Sequence, residues 1–225
     1  FFMIFHDDDI MMENMIAKLL ACFSLSTVAV SSNAYILRNN KRTKTTLVPN
    51  VCAPVLINTK KELLTCFMTG CGSPFPGYLY RRIVSQMRFD FTRYNKYGDL
   101  PFTVGTLDYG SIYLTREPLF YYRLHNGQDS FCGDFVGKSR LIHFVVKETG
   151  YSRKDKHIVH WRLANIYEDF KTNFFLKHKT SSLKRILQFI RLCTTNHNIM
   201  LAVRLMVRIC LMQANVILHR NQLKG

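Results

Sequence analysis

The sequence predicts an α/β fold over residues 1–130, followed by a basic, α-helical extension over residues 131–225. Three observations carry that expectation. The chain opens on five apolar residues, Phe1 to Phe5, that run straight into His6, Asp7, Asp8 and Asp9. A short apolar run bounded by polar residues reads as a buried strand. From there to residue 130, short aromatic and β-branched runs alternate with stretches of helical periodicity, the pattern of a layered α/β domain. Beyond Phe131 the periodicity is helical throughout, and the charge changes: residues 152–225 hold 14 Lys/Arg against 3 Asp/Glu.

The elements follow in order. After the acids, Met12, Met15, Ile16, Leu19, Leu20 and Phe23 share one face of a first helix, which Ser24 to Ser26 end. Val28 to Val30 and Tyr35 to Leu37 read as two short strands joined by a polar turn, Ser31-Ser32-Asn33. Arg38 to Pro49 reads as a polar loop, with Lys41, Arg42 and Lys44 in solvent or facing an acidic ligand. Asn58 or Thr59 caps a second helix through Met68, and Glu62 stands in capping-box position to Thr59. Gly70-Cys71-Gly72-Ser73-Pro74-Phe75-Pro76-Gly77 is too rich in Gly and Pro for helix or central strand, so it predicts a shaped loop. Tyr97 to Pro101 starts a third helix, with Asp99 near its cap and Pro101 in its first turn. Gly110 closes that helix. Ser111 to Thr115 and Leu119 to Tyr122 are strands separated by a turn at Glu117-Pro118. Val159, Leu163, Ile166, Phe170 and Phe174 form one helical stripe of the extension; Leu183, Ile186, Leu187 and Ile190 form another.

The totals narrow the classes. The chain of 225 residues is 48% hydrophobic, which supplies a core and argues against disorder. A net charge of +16 points to an anionic partner: nucleotide phosphates, nucleic acid or an anionic membrane surface. Seven cysteines without a C-x-x-C pair read as reduced thiols of a cytosolic protein, and their spacing argues against a zinc site. His157 and His160 have no third ligand near them in sequence and read as surface or packing residues. No signal peptide is recognisable, and the best apolar run, Ile199 to Leu218, is interrupted by Arg204 and Arg208. The strand-like opening without an initiator Met suggests a fragment whose N-terminal part is missing.

The acid run admits two readings. Three adjacent carboxylates repel one another unless a cation offsets the charge, and Mg²⁺ or Mn²⁺ suits such oxygen ligands. Asp is equally at home at a helix N-terminus.

Four stretches taken in order bear on the choice: the acids at 7–9, the Gly/Pro loop at 70–77, Asp99 at a helix start, and Glu117-Pro118-Leu119-Phe120-Tyr121-Tyr122-Arg123-Leu124-His125-Asn126-Gly127-Gln128-Asp129-Ser130. The combination resembles the later part of a family 2 glycosyltransferase of the GT-A fold, over roughly residues 1–130. Members commonly carry an Asp-rich metal motif, an acidic pair whose second acid is the base, and a closing segment like E-P-L-x-x-Y-R-x-H-x-x-Q-x-S. The resemblance implies a partial GT-A domain, Rossmann-like with a mixed sheet, that lacks its N-terminal nucleotide-binding units. It implies Asp7, Asp8 and Asp9 as the metal motif with Mn²⁺ or Mg²⁺, ligation resting mainly on Asp8 and Asp9. It implies Asp99 as the catalytic base, and Arg123 and His125 as donor-diphosphate residues, His125 alternatively at the metal. The loop with Gly72 and Pro76, and Arg81 after it, would lie at the acceptor or donor sugar. Two departures stand out: His6 where relatives often have Asp, and Gly98 where they often have Glu. The Q-x-x-R-W motif of processive relatives is absent.

The expected activity is inverting transfer of one sugar from a nucleotide-sugar donor to a glycan or lipid-linked acceptor, as in surface polysaccharide or lipopolysaccharide synthesis. The expected location is cytoplasmic, with the basic extension contacting an anionic membrane, or simply capping the catalytic domain. No nucleic-acid partner is expected. Two other classes compete. A nucleotidyltransferase also pairs Asp with divalent metal but needs a third carboxylate beside the pair. A basic nucleic-acid-binding module matches the charge but shows no recognised motif.

Overall fold

The computed structural model describes residues 1–38, 40–49, 52–125, 134–170 and 191. The chain divides into two compact units, Phe1–Arg153 and Lys154–Gly225. The first is mixed α/β. In order it contains β1 (Phe2–Met3), β2 (Ile10–Met11), α1 (Met15–Ala21), β3 (Thr27–Arg38), β4 (Lys41–Thr46), β5 (Val55–Ile57), α2 (Lys60–Met68), β6 (Tyr78–Tyr80), α3 (Phe91–Tyr94), α4 (Asp99–Gly105), β7 (Ser111–Leu124) and α5 (Phe135–Thr149). In the second unit, the described residues include α6 (Lys156–Phe170), whose Val159, Leu163 and Ile166 are buried as their helical spacing predicts. The expected stripe at 183–190 and the apolar run at 199–218 lie outside the described residues. Among the described residues no helix is long and apolar enough to cross a membrane.

The seven strands form one mixed sheet. Its main path is β1-β6-β3-β7-β2, with β4 added to β3 and β5 to β7. The long strands β3 and β7 run parallel, and the other pairs are antiparallel. A parallel pair needs a crossover, and the chain from β4 to α4 supplies it. Under one face of the sheet, Met15 and Leu19 of α1 pack with Val30, Ala34, Leu79, Leu119 and Phe120. Each large side chain buried there contributes about 1.5–3 kcal/mol. Ile16 and Leu20, expected on the same stripe of α1, are instead exposed. The helix is shorter than its apolar pattern and turns only one narrow edge inward.

The second helix matches its signal closely. Thr59 accepts from the Glu62 amide, and the Glu62 side chain accepts from the Thr59 amide. That reciprocal cap satisfies two amides that the first turn leaves without carbonyl partners.

Several expectations need correction. The apolar opening is not a buried strand of five residues: β1 is two residues long and half-buried, and Phe1 is exposed. Ile10 and Met11 form a strand on β7 before any helix begins. The two strands expected at 28–30 and 35–37 are one, because the polar turn between them is absorbed into the sheet. Ser31 donates to the Ser73 hydroxyl at 2.8 Å, and the Asn33 amide pairs with the Val48 backbone in both directions at 3.0 Å. Buried polar groups are tolerated when so bonded. The same holds for β7, which runs through Glu117-Pro118: Arg116 takes a left-handed φ of 65°, and the register against β3 shifts there instead of the strand ending. The loop expected at 38–49 contains β4, paired with the end of β3. Gly110 does not cap α4, which ends at Gly105 and continues as a short 3-10 turn. Its role is close approach, since a Cβ there would lie 2.4 Å from the Ser26 carbonyl oxygen. The cysteines are not all thiols: Cys52 and Cys71 form a disulfide, so the cysteine count no longer argues for a reducing compartment.

Candidate metal centre

The acids sit in the turn between β1 and β2, closed by the Asp9 amide donating to the His6 carbonyl. Because β2 pairs antiparallel with β7, with Ile10 opposite Tyr121, residues 8 and 9 are carried alongside the end of β7. There the Arg123 amide donates to Asp9 Oδ1 at 2.9 Å, and Arg123 Nε donates to the Asp8 carbonyl at 2.6 Å. An Nη of the same guanidinium bonds Asn40 in the β3–β4 turn. His125 Nε2 lies 2.8 Å from Asp8 Oδ2. The end of β7 is therefore the frame that holds the acid turn, and the residues singled out at 8, 9, 123 and 125 converge.

The side chains of His6, Asp8 and Asp9 bring one ligand atom each to within 4.8 Å of one another. His6 Nδ1 is 3.8 Å from Asp9 Oδ2. Asp7, expected as a ligand, is exposed and outside this group, which contains His6. The reason is the turn, in which residues three apart fold back on each other. The Asp9 side chain is fully buried, yet among the described residues its Oδ2 has no hydrogen-bond partner. Burial, followed by the charge of Asp8, pushes the Asp9 carboxyl above the usual carboxylate range, against the pull of the Arg123 amide. A buried carboxylate oxygen left without a donor costs about 1–3 kcal/mol or more. Two carboxylates and an imidazole around such an oxygen are a donor set for a divalent cation, so the residues present fit a metal.

Asp99 lies in the first turn of α4, with Oδ1 accepting from the Leu100 amide at 2.8 Å. Burial raises its carboxyl above the usual range, while the charge of His6 acts in the opposite sense. His6 thus lies within electrostatic reach of both Asp9 and Asp99. The Phe75 ring of the Gly/Pro loop is 6.4 Å from the His6 ring and 6.3 Å from that of Phe102 in α4. This loop fills the gap between the acid turn and the Asp99 helix, and the disulfide at Cys71 ties it to the segment before β5.

Other loop expectations are placed differently. Gly72 faces the Phe67 ring, and Pro76 is buried. Gly77 is required by the sheet, since a Cβ would meet the Ser32 carbonyl oxygen at 2.6 Å. The contacts of Arg81 are made elsewhere than with the acids: its guanidinium donates to the Thr27 and Ser24 carbonyls and lies over the Phe1 and Phe23 rings. It fastens the start of β3. Asn126 to Ser130, the end of the closing segment, lie outside the described residues. Two contributors were missed in sequence. His6 was visible as the neighbour of the acids; Asn40 carried no signal.

No family model and no curated protein matches this chain.

Proposed function

We propose that this chain carries the catalytic part of an inverting, metal-dependent family 2 glycosyltransferase with a GT-A domain, adding a single sugar from a nucleotide-sugar donor to a glycan or lipid-linked acceptor. The observation that carries the reading is the buried Asp9 Oδ2, without a hydrogen-bond partner among the described residues, held beside Asp8 and His6. Asp8, Asp9 and His6 would hold Mn²⁺ or Mg²⁺, which when bound supplies Lewis-acid stabilisation of the charge on a leaving diphosphate. The chain's own residues do the rest. The Arg123 amide aims Asp9, its side chain fixes the Asp8 backbone, and His125 orients the Asp8 carboxylate. In this arrangement Arg123 and His125 support the acids, and direct contact with a diphosphate requires them to exchange these partners. Asp99 takes the proton of the acceptor hydroxyl at a carboxylate oxygen; its raised pKa makes it a better base than an exposed aspartate. One displacement with one base inverts the anomeric centre. The basic extension suits contact with an anionic membrane surface.

The test is a screen of nucleotide-sugar donors with the full-length protein, tracking release of nucleoside diphosphate with and without Mn²⁺. Metal-dependent release that is lost in Asp8→Asn supports the reading. Release that is indifferent to metal and to Asp8→Asn removes it.

A further inference from the structure

Charge is concentrated beside this centre in a way the metal does not explain. Arg38, Lys41, Arg42 and Lys44 are all exposed on the β3–β4 hairpin. Arg38 and Lys41 are direct cross-strand partners, an arrangement of like charges that disfavours the hairpin. Among the described residues none of the four forms an ion pair.

Register decides which of them faces the acids. Leu37 pairs with Arg42 on one side and with Arg123 on the other. Paired residues project to the same face of a sheet, and residues two apart share a face. Arg42 therefore projects to the face of Arg123, whereas Arg38 and Lys41 project to the opposite one; the β3–β4 register shifts between Arg42 and Thr46, and Lys44 stands exposed in that irregular stretch of the same strand. Two strand spacings separate Arg42 from Arg123, about 10 Å. Arg42 is also held in place: its guanidinium carbon lies 4.8 Å from the centre of the Tyr121 ring, itself beside the Tyr35 ring. A guanidinium held over a ring by this cation–π contact keeps N–H groups for a planar or tetrahedral anion. Among the described residues those N–H groups have no acceptor. Asn40 at the tip of the same hairpin bonds Arg123, which ties the hairpin to the acid turn.

We infer that the β3–β4 hairpin is a phosphate-binding subsite, with Arg42 as its anchor and Lys44 beside it, and that it takes the phosphate of a phosphate-linked acceptor. The anion subsite stands on the hairpin alone; its assignment to the acceptor rests on the glycosyl-transfer reading. On that reading the donor diphosphate occupies the metal centre. A phosphate two strands away from that centre belongs to the other substrate. A neutral glycan would have no use for a guanidinium held over a ring and, among the described residues, without an acidic partner at that place.

The test measures binding of inorganic pyrophosphate to the full-length protein in EDTA, where the metal centre cannot contribute. Wild type should bind. Arg42→Gln should bind roughly ten- to hundredfold more weakly, the size of a lost charge-assisted pair. Arg42→Lys should recover only part of this, because an ammonium neither stacks flat nor binds with two parallel bonds. Asp8→Asn should bind at least as tightly as wild type. Equal binding by Arg42→Gln overturns the subsite, as does full recovery by Arg42→Lys. Lys44→Gln, which disturbs no stacking, gives a second reading and should weaken binding severalfold. A parallel arm uses vesicles of phosphatidylcholine with phosphatidylglycerol. Retention that depends on Arg42 and is not competed by pyrophosphate would make the hairpin a membrane contact and overturn the acceptor assignment. Mn²⁺-dependent sugar transfer is read separately, so either idea can fail while the other stands.

Discussion

Replacing Asp9 by Asn should have opposite effects on the metal-free and metal-loaded protein. In the metal-free chain the Asp9 carboxylate is buried, has one oxygen without a donor among the described residues and lies beside Asp8. Asn keeps the acceptor for the Arg123 amide and removes the charge. Relief of a buried, unsatisfied charge is worth about 1–3 kcal/mol. Some of that is offset, because the new amide group also enters a buried position, so a net gain of about 1 kcal/mol is expected. With metal the balance reverses. At a Mn²⁺ concentration one hundred times its dissociation constant, wild type gains about 2.7 kcal/mol by mass action. For a chain of this size that is a rise of roughly 5–11 °C in melting temperature. Asp9→Asn should show almost none of it. The assay is thermal melting by circular dichroism in EDTA and across a Mn²⁺ series. If Asp9→Asn melts lower than wild type in EDTA, Asp9 is a satisfied structural residue. If it retains the Mn²⁺ shift, the ion binds elsewhere. Either result removes Asp9 as a ligand.

Asp99→Asn should keep the Mn²⁺-induced rise in melting temperature and lose transfer by about 10²–10⁴-fold, measured as single-turnover sugar transfer. The Asp99 pKa is raised in the fold, so the protonated form is favoured there: its contribution to stability is complete below the unfolded value and is lost as pH rises through the folded one. The proposed base is ionised only above that raised value, so kcat/KM should fall with decreasing pH at a point above the ordinary aspartate range. Gly77→Ala sets a Cβ against the Ser32 carbonyl oxygen and should cost about 1–3 kcal/mol in urea unfolding without changing Mn²⁺ affinity. Reducing the Cys52–Cys71 bond, or making Cys52→Ser, should lower stability by about 2–4 kcal/mol, read from unfolding midpoints with and without dithiothreitol; an unchanged midpoint means the bond does not constrain the chain.

Local signals were legible in the sequence, and long-range satisfaction was not. The capping box at Thr59 and Glu62 involves residues three apart, and it was readable for that reason. The Gly/Pro loop and the start of α4 announced themselves through backbone chemistry of the same short range. Ser31 to Asn33 looked like a turn because nothing nearby in sequence reveals that Ser73 and Val48 bond these polar groups inside the sheet. The same blindness hid the bulge at Arg116 and the strand at 41–46, whose charged residues gain their partner only through β3. At the site, Asp8, Asp9, Arg123 and His125 were found by their order along the chain, and the structure brings them into one bonded group. That His6 and not Asp7 groups with Asp8 and Asp9 was not legible, because a count of acids carries no geometry; the turn brings residues three apart together. Arg81 looked functional as a cation leaving a loop, but its hydrogen bonds run to the backbone at the start of β3.

The proposed metal-dependent transfer stands or falls on whether the acid turn holds an ion. Anomalous diffraction at the manganese edge, from crystals grown with Mn²⁺, measures this without an assay of turnover. A peak is expected among the carboxylates of Asp8 and Asp9 and the imidazole of His6. A peak at other residues, or none there at saturating Mn²⁺, contradicts a metal centre in the turn.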